Sequence, residues 1–430
     1  MRKLLLLTLV VLVVGTLGFA QVTRDSAVQQ FNKAVATGKA QLVMPMAAPG
    51  THAKSTAMFS GQKLLVKSSI KPTNVPTEPW FCDYNNGSQV LVCPKGVETA
   101  YSTNFPGANG GAGMTVAIVD FFYYNWVESA LAQYNSDMHL PACTVANGCL
   151  TLVDMSNGNE CDYCYGWEVE SMLDVEAVHA MAPNAKIVFI GGDPYNDGSN
   201  EELFAQSVGD ATSNSWTFNG GEFPYWEVYL GQGPPTLFAS GDGGYFPAEG
   251  IAYPCTSPLA TCVGGTSLYL NPNLTRNAEY AWSGAGGGCS AAFALPSYQG
   301  LVGSGACSPN RAAPDIAAIA DPNTGFAVYI GGPYYSGYYY GIGGTSVATP
   351  INAGLVADMD TARVSFGKTK LTYTSFNGEL YPAAAYNYNY YVFDVTIGNN
   401  GYPAGPQFDL VTGLGVPNGK AIASRFFGIP

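Results

Sequence analysis

A serine late in the chain lies in a setting that could make it a nucleophile. Two glycines and a threonine precede Ser346, and the pattern from Thr345 to about Ala362 predicts a long helix. The free N–H groups and the positive dipole end of that helix would face the serine oxygen. Pro350 is expected in the first turn, where a missing N–H is tolerated. An ordinary helix N-cap serine has the same signature, so this motif alone does not separate a cap from a nucleophile.

A serine nucleophile needs a general base, and histidine is the usual one. The chain has three histidines, His52, His139 and His179, and none lies in a motif that supports a catalytic role. His179 falls late on a predicted helix, which favours a structural histidine. A Ser-His-Asp triad is therefore poorly supported, and a carboxylate base is the alternative to consider.

Two carboxyl groups have the spacing that such a base would need. Glu170 and Asp174 are four residues apart, so a helix places them on one face. Two carboxyls in one site cannot both ionise easily, so the pKa of one rises and a proton can be shared. The alternative is a solvated helix face, and Glu168 and Glu176 on the same predicted helix favour that alternative.

The elements that must position these residues alternate between buried strands and helices from about residue 95. The predicted strands are Met114–Val119, Ala185–Ile190 and Pro235–Ala239, and the predicted helices are Val127–Tyr134, Glu168–Met181, Asn200–Val208 and Thr345 to about Ala362. Continuous apolar strands separated by helices predict a mostly parallel central sheet with helices on both faces. The expected fold is therefore one large α/β domain of doubly wound type.

The N-terminus predicts the compartment and the domain organisation. Arg2 and Lys3 precede an apolar run from Leu4 to Val14, and small residues end at Ala20. This is the pattern of a cleaved signal peptide, here residues 1–20, and it predicts a secreted protein with no membrane association after cleavage. Residues 21–94 are interpreted as a short leader or propeptide with a linker, and residues 95–430 as the main domain.

Ten cysteines suit an oxidising compartment. They occur as near neighbours, and pairing within each of these sets is expected: Cys82/Cys93, Cys143/Cys149, Cys161/Cys164, Cys255/Cys262 and Cys289/Cys307. Sequence alone does not fix the connectivity. A redox role for Cys161 and Cys164 is the less favoured alternative to a structural disulfide.

The composition excludes one class of partner. The formal net charge is −13 and charged residues make up only 11% of the chain. Nucleic-acid binding needs a basic surface, so no nucleic-acid partner is expected. A surface with few cations and many carboxylates becomes nearly uncharged in acid, which favours an acidic working environment.

Several motifs in the same order resemble the sedolisin family, the serine-carboxyl peptidases, and its kumamolisin-like members. The resemblance runs from about residue 95 to the end. The motifs are Glu170-x-x-x-Asp174, Phe238-Ala-Ser-Gly-Asp242-Gly-Gly, Gly344-Thr345-Ser346, Ser213-Asn-Ser-Trp216, Tyr253-Pro, Val263-Gly-Gly-Thr266 and Arg311-x-x-Pro314-Asp315.

The resemblance implies a subtilisin-like fold and a role for each matched residue. Ser346 would attack the scissile carbonyl, Glu170 would take its proton, and Asp174 would orient Glu170. Asp242 would donate a hydrogen bond to the oxyanion together with a backbone N–H near Ser346. Because a carboxyl group donates only when protonated, this role implies activity in acid.

The resemblance also implies supporting and metal-binding residues. Asp120 matches a position where kumamolisin-like enzymes have a longer acid that extends the carboxylate chain, and Trp216 matches a tryptophan near it. The C-terminal loop resembles the calcium loop of the family, with one structural Ca²⁺. Its ligands would be the side chains of Asp394 and Asp409 and the carbonyls of Val395, Gly405 and Gln407. Gln407 stands where the family usually has glycine.

The sequence therefore predicts a secreted, monomeric, acid-active serine-type endopeptidase that acts on protein or peptide substrates. One alternative is a secreted binding protein that kept the scaffold and lost activity. A second, less favoured alternative is a histidine-dependent subtilisin-like peptidase. The sequence does not distinguish endopeptidase from tripeptidyl-type cleavage, and it does not give the preferred bond or the processing site.

Overall fold

The computed structural model describes most of the chain from residue 88 onward and short pieces before it. The described residues are 53–55, 58–59, 66–67, 79, 81–82, 84–85, 88–159, 166–218, 221–245, 253–302, 304–333, 335 and 337–427. All of them fall in one compact unit, Ala47–Pro430. The predicted signal peptide, most of the predicted leader, and Cys161 and Cys164 lie outside the described residues.

The described residues form eight α-helices. In chain order they are α1 (Pro94–Tyr101), α2 (Val127–Asp137), α3 (Trp167–Met181), α4 (Ser199–Val208), α5 (Thr345–Ser365), α6 (Tyr373–Tyr386), α7 (Tyr388–Tyr391) and α8 (Gly419–Phe427). Short 3₁₀ turns occur at Asn109–Gly111, Pro224–Tyr229, Gln299–Leu301, Ser304–Ala306 and Pro322–Thr324. None of the helices in this part of the chain combines the length and the apolar character that a membrane span needs.

The same residues form twenty strands. They are β1 (Ala53–Ser55), β2 (Met58–Phe59), β3 (Val66–Lys67), β4 (Tyr84–Asn85), β5 (Ser88–Gln89), β6 (Thr115–Phe121), β7 (Leu150–Met155), β8 (Lys186–Gly192), β9 (Ala211–Asn214), β10 (Trp216–Phe218), β11 (Thr236–Ala239), β12 (Thr261–Leu270), β13 (Arg276–Ala281), β14 (Gly288–Ala294), β15 (Asn310–Ala313), β16 (Ile316–Ile319), β17 (Phe326–Ile330), β18 (Tyr338–Gly343), β19 (Val392–Phe393) and β20 (Val416–Pro417).

The central sheet is mostly parallel, as the sequence predicts. Its strand order is β13-β12-β11-β9-β6-β8-β7, and β16 pairs with β12 beside this path. All of these pairs are parallel except β12 with β13 at the edge. Every residue of β6 is buried, as expected for a strand that is covered on both sides.

Helices cover both faces of this sheet. Side chains of a strand alternate between faces. The Thr212 hydroxyl donates to Glu202 of α4 at 3.2 Å. The Ser215 hydroxyl, three residues further on, donates instead to the Ser346 carbonyl in α5 at 3.3 Å. Helix α4 therefore packs on one face, while α5 packs on the other together with α3.

Two local expectations are wrong. Pro350 is the sixth residue of α5 and not part of its first turn. The solvated face expected for the helix around Glu170 is absent, because every residue of α3 is buried, including Glu168 and Glu176. The Tyr335 hydroxyl donates to Glu168 at 2.6 Å, and the Tyr329 N–H donates to Glu176 at 2.8 Å. Both acids are therefore hydrogen-bonded to distant segments of the chain and are not exposed to solvent.

Four of the expected disulfides are confirmed, and the fifth, Cys161–Cys164, lies outside the described residues. They are Cys82–Cys93, Cys143–Cys149, Cys255–Cys262 and Cys289–Cys307. Pieces of the predicted leader also pair with the main domain. Strand β1 pairs with β10, while β2 and β3 pair with β18, all antiparallel.

Candidate active site

Polar residues of the candidate site lie at or just after the carboxyl ends of three neighbouring strands of the central sheet. Asp120 is the sixth residue of β6, Ser215 follows β9, and Asp242 comes three residues after β11. Strands β6, β9 and β11 are parallel neighbours, so their carboxyl ends lie side by side. This edge is where ligands commonly bind in open α/β sheets. Helix α3 adds Glu170 and Asp174, α5 adds Ser346 as its second residue, and Trp216 is the first residue of β10.

Three fully buried carboxyl groups meet at this edge. The side chains of Asp120, Glu170 and Asp174 have no exposed surface. Burial raises the pKa of Asp174 well above its usual value, and repulsion from Asp120 and then Glu170 raises it further, while the nearby Ser215 hydroxyl acts in the opposite direction. Burial also raises the pKa of Asp120, and Glu170 adds to that rise. The three carboxyls are therefore most stable when they share one or more protons and do not all carry a negative charge.

Ser346 lies at the start of α5, and the backbone before it makes a turn that suits glycine. Gly344 has φ of 112°, a conformation that L side chains rarely adopt. Ser346 itself is fully buried. The predicted position of this serine at a helix N-terminus is thus where the structure places it.

A proline four residues later leaves the Ser346 carbonyl without its usual helical partner. In an α-helix the N–H of residue i donates to the carbonyl of residue i−4, and Pro350 has no N–H. The Ser215 hydroxyl donates to this carbonyl instead, at 3.3 Å. A hydrogen bond from the same hydroxyl lowers the pKa of Asp174. Ser215 therefore connects the backbone of Ser346 to the Asp174 carboxyl.

Asp242 contacts the residue just before Ser346. Its Oδ1 atom accepts the Thr345 N–H at 2.7 Å and the Thr345 hydroxyl at 2.9 Å. The Gly241 N–H donates to that hydroxyl at 3.1 Å. These three bonds hold Asp242 against the N-terminus of α5, with Oδ1 engaged as an acceptor.

Trp216 lies beside the cluster of three buried carboxyls, but its indole N–H is bonded to the backbone and not to a carboxyl. The indole N–H donates to the Val119 carbonyl at 3.0 Å. The ring is fully buried and makes edge contacts with Phe121, Phe218 and Phe238. The tryptophan thus holds the end of β6, which carries Asp120.

The described histidines lie in other surroundings. His179 Nε2 is 2.8 Å from the Pro141 carbonyl, and burial lowers the pKa of the ring. His179, Cys143 and Cys149 are close enough together to suggest a metal site, but the two sulfurs form a disulfide. His139 is exposed, and His52 lies outside the described residues.

Residues predicted as calcium ligands contact one another in the C-terminal loop through backbone N–H groups. The Gln407 N–H donates to both carboxylate oxygens of Asp394, at 3.1 and 2.9 Å. The Gly405 N–H donates to Asp409 at 3.1 Å, and the buried Val395 follows Asp394 in the chain. Gln407 has φ of 66°, the left-handed region that glycine favours.

The donor atoms suit a hard cation. Burial raises the pKa of both Asp394 and Asp409, and both carboxylates contribute to a raised pKa of the Tyr388 hydroxyl, so they lie near the same point. A cation bound there would offset the cost of burying these two carboxylates. Oxygen atoms of carboxylates and carbonyls are the ligands that Ca²⁺ prefers.

Sequence reasoning missed two residues of the site. Ser215 and Thr345 were visible only as members of longer motifs, with no role of their own. The signal for Ser215 was Pro350, because a proline inside a helix always leaves one carbonyl to be satisfied by another group.

The chain is similar to two groups of curated proteins. Kumamolisin from Bacillus sp. (strain MN-32) is 30% identical over 365 residues, covering 75% of this chain and 62% of kumamolisin. Tripeptidyl-peptidase 1 from Rattus norvegicus is 32% identical over 222 residues, covering 44% of this chain and 37% of that protein. The chain thus spans about three fifths of the length of kumamolisin. No protein-family model matches it.

The fold is similar to that of a solved peptidase. Pseudomonas sedolisin, a serine-carboxyl proteinase solved with two molecules of pseudo-iodotyrostatin, superposes with a TM-score of 0.65 and 23% sequence identity. The match covers 79% of this chain and 98% of sedolisin. It supports the subtilisin-like arrangement of a mostly parallel sheet between helices.

Proposed function

From the membership of this chain in the sedolisin family of serine-carboxyl peptidases, we propose that it is a secreted, acid-active endopeptidase with Ser346 as nucleophile. The observation that carries the proposal is the contact path from the nucleophile to a buried acid group. Ser215 reaches the Ser346 carbonyl and also lies beside Asp174, which is packed against Asp120 and Glu170. Carboxyl groups that are buried together and raise one another's pKa are typical of functional sites.

The proposed reaction proceeds through an acyl-enzyme. Glu170 takes the Ser346 hydroxyl proton as the oxygen attacks the peptide carbonyl, and then gives it to the leaving amine. Water hydrolyses the ester with the same carboxyl acting again as base. Asp174 and Asp120 are proposed to orient Glu170 and to hold the shared proton that keeps the group from carrying three negative charges.

Asp242 is proposed to stabilise the oxyanion. Its Oδ1 atom is engaged by Thr345, so Oδ2 is the atom that would carry the donated proton. The Ser346 N–H, at the positive end of α5, would be the second donor. This role requires a protonated Asp242, which supports activity in acid and its loss as the carboxyl ionises.

Strand β10 is proposed to bind the substrate backbone. It directly follows Ser215, and β1 pairs with it in antiparallel register, with Ser55 opposite Trp216. In processed protein that has released β1 with the leader, an extended peptide would pair with the same edge by β-strand addition. This geometry supports protein and peptide substrates without specifying a preferred side chain.

Hydrolysis of a denatured protein at about pH 4 tests the proposal. Processed wild-type protein should cleave it, Ser346→Ala should not, and His179→Ala should retain the wild-type rate. Product analysis by mass spectrometry would separate internal cleavage from release of tripeptides. Equal behaviour of wild type and Ser346→Ala would favour the binding-protein alternative, and loss of activity in His179→Ala would favour a histidine-dependent enzyme.

One Ca²⁺ is proposed for the C-terminal loop, held by the side chains of Asp394 and Asp409 and by carbonyls of Val395, Gly405 and Gln407. When bound, the ion would fix this loop by charge neutralisation. Metal analysis after dialysis should give one calcium per chain, and Asp409→Asn should lose it. A chelator should lower the melting temperature of wild type but not of the variant; an equal effect on both would contradict the assignment.

Secretion and monomeric state are proposed on separate grounds. Four disulfides in the described residues favour an oxidising compartment. Detection of the mature protein in culture medium, with its N-terminus past residue 20, would test secretion. Sedimentation at micromolar concentration would test the monomeric state.

A further inference from the structure

The loop that carries Asp242 is rich in glycine and needs to be fixed by other parts of the chain. Asp242 lies between Gly241 and the pair Gly243-Gly244. Gly241 and Gly244 have φ of 93° and 70°, values that L side chains rarely adopt. Because glycines allow many backbone conformations, such a loop does not hold an aspartate in one place by itself. Hydrogen bonds from neighbouring segments must therefore fix it.

The segment 284–286 holds the loop on both sides of Asp242. The N–H of the last residue of this segment donates to the Gly241 carbonyl at 2.8 Å, and the carbonyl of its first residue accepts the Gly244 N–H at 2.7 Å. The approach is close, because a side chain at position 286 would clash with the Ser240 carbonyl. The position of Asp242 therefore depends on the position of this segment.

One buried side chain connects the segment 284–286 to the end of the Asp242 loop. Asn400 is 7% exposed, and its Nδ2 atom donates to the Ala285 carbonyl at 2.6 Å. The Asn400 carbonyl accepts the Tyr245 N–H at 2.7 Å. The Tyr245 ring also packs against Tyr402, with centroids 4.4 Å apart. A single asparagine thus contacts both parts of the chain that determine where Asp242 lies.

The amide group of Asn400 suits its two side-chain contacts. The Ala285 carbonyl requires a donor, and the Tyr402 N–H, which donates to Asn400 Oδ1 at 3.0 Å, requires an acceptor. An asparagine supplies both from one side chain, whereas an alanine supplies neither and an ionised aspartate supplies only the acceptor. Because both polar atoms of the side chain are engaged with the backbone, Asn400 acts on the loop and not on the substrate.

We propose that Asn400 is a positioning residue for Asp242, which it holds in place through the segment 284–286 and Tyr245. This inference rests on the proposed role of Asp242 as the oxyanion donor. Such a donor stabilises the transition state only at hydrogen-bonding distance from the developing charge. A small displacement of Asp242 therefore lowers the rate of the chemical step and leaves the binding of the substrate unchanged.

Steady-state kinetics of Asn400→Ala at about pH 4 test the inference. The value of kcat should fall by about tenfold or more with KM unchanged, because the oxyanion donor is displaced. A peptide aldehyde forms a hemiacetal with the serine and places its oxygen at the oxyanion position, so its affinity should fall by about the same factor. The corresponding peptide alcohol has no carbonyl to be attacked and should bind as it does to wild type. An unchanged kcat, or equal weakening of the aldehyde and the alcohol, would overturn the inference.

A double variant separates positioning of Asp242 from a general effect on the fold. Asp242→Ala alone should lower kcat by about 10²–10³-fold, and adding Asn400→Ala should cause almost no further loss, because the residue that it positions is gone. A further loss as large as that in the wild-type background would overturn the inference and leave the proposed role of Asp242 intact. Wild-type activity of Asp242→Ala would contradict the proposed oxyanion role itself.

Asn399→Ala is the matched control, because the exposed Asn399 side chain accepts the Gly401 N–H at 2.6 Å and, among the described residues, does not bond to the segment 284–286. It should keep the wild-type kcat. If Asn400→Ala does not fold, Asn400→Asp replaces it, since its carboxyl can donate to the Ala285 carbonyl only while protonated. Its kcat relative to that of wild type should then fall as pH increases, and a ratio that stays at one would overturn the inference.

Discussion

Two regions of this molecule bury aspartates completely, and their surroundings differ. Asp315 accepts five hydrogen bonds, from the Cys262 N–H, Gln299, Tyr381 and both terminal nitrogens of Arg311, at 2.6 to 3.2 Å. At the candidate active site, Asp120 and Asp174 instead face Glu170 and each other. The aspartates of both regions are fully buried, but among the described residues only Asp315 is paired with a cation.

The comparison shows how burial alone fails to identify a functional site. Burial alone would lower the pKa of the Arg311 guanidinium, but the Asp315 carboxylate raises it overall, as in a structural ion pair. In the acid group the neighbours reinforce the effect of burial. A local rule that is broken without structural compensation is where function is expected.

The largest expected effect tests the acid group. Glu170→Gln should reduce kcat/KM by about 10²–10⁴-fold, because the amide cannot accept the nucleophile proton. The melting temperature should not fall, since the change removes repulsion. Steady-state kinetics at acid pH and thermal unfolding measure both quantities.

Glu176→Gln is the matched control for this variant. Glu176 is a buried acid of the same helix, but it accepts the Tyr329 N–H and lies outside the proposed group. Equal loss of activity in both variants would show that the helix as a whole, and not the Glu170 carboxylate, is needed.

The buried Arg311–Asp315 ion pair should affect stability and not activity. Arg311→Met leaves Asp315 buried without its cation, and the free energy of unfolding should fall by about 3–5 kcal/mol. Activity per folded molecule should change little. Urea denaturation measures the loss, and Lys95→Met, which breaks an exposed pair with Glu98, should cost less than about 1 kcal/mol. Similar losses for the two variants would remove the distinction that we draw.

The buried acids should make the protein less stable as pH rises. Burial raises the pKa of Glu201 to about 7, of Glu202 to about 8 and of Asp360 to about 7. An acid whose folded pKa is raised favours the folded state while protonated. That stability is present at low pH and is lost as pH increases from the unfolded pKa of about 4 through the folded value.

Thermal unfolding between about pH 4 and pH 8 measures this dependence. Each such acid should contribute a loss of about 1.4 kcal/mol per pH unit in its window. Glu202→Gln should reduce the slope of the unfolding free energy against pH by the contribution of one titrating group. At acid pH its stability should equal that of wild type. A melting temperature that is constant or increases over this range would contradict the expectation.

The smallest effect concerns Ser215. Ser215→Ala removes the hydrogen bond to the Ser346 carbonyl, and kcat should fall by about fivefold with KM unchanged, because one such bond contributes about 1 kcal/mol. The acid limb of the kcat–pH profile should move to higher pH, since the hydroxyl lowers the Asp174 pKa.

Ser213→Ala is the control, since this buried hydroxyl of β9 has no partner among the described residues. It should leave both kcat and its pH profile unchanged. If the pH profile of kcat is identical in Ser215→Ala and wild type, Ser215 contributes only to packing.

Much of the fold was predictable because its signals are local. The predicted helix Glu168–Met181 differs from α3 by one residue, and the predicted start of α5 at Thr345 is correct. The predicted buried strand Met114–Val119 overlaps β6 over most of its length. Strands such as β14 and β17 were not predicted, because they lack a continuous apolar run and β-propensity depends strongly on tertiary context.

The candidate site was predictable in part for the same reason. Helical spacing puts Glu170 and Asp174 on one face, and the Gly-Thr-Ser turn marks a helix start at Ser346. The family resemblance supplied their roles, together with Asp242. The position of Pro350, the burial of Glu168 and Glu176, and the part played by Ser215 all depend on contacts between distant segments.

The sequence by itself determined the residue types, their spacing within each helix and the closeness of the cysteines along the chain, because these depend on a few consecutive residues. Only the tertiary structure decided that β6, β9 and β11 are neighbours, so that Asp120, Ser215 and Asp242 share one edge of the sheet. It also decided which acids meet a cation and which meet each other. The free energy of a buried charge depends on what surrounds it in space, and a linear pattern does not contain that information.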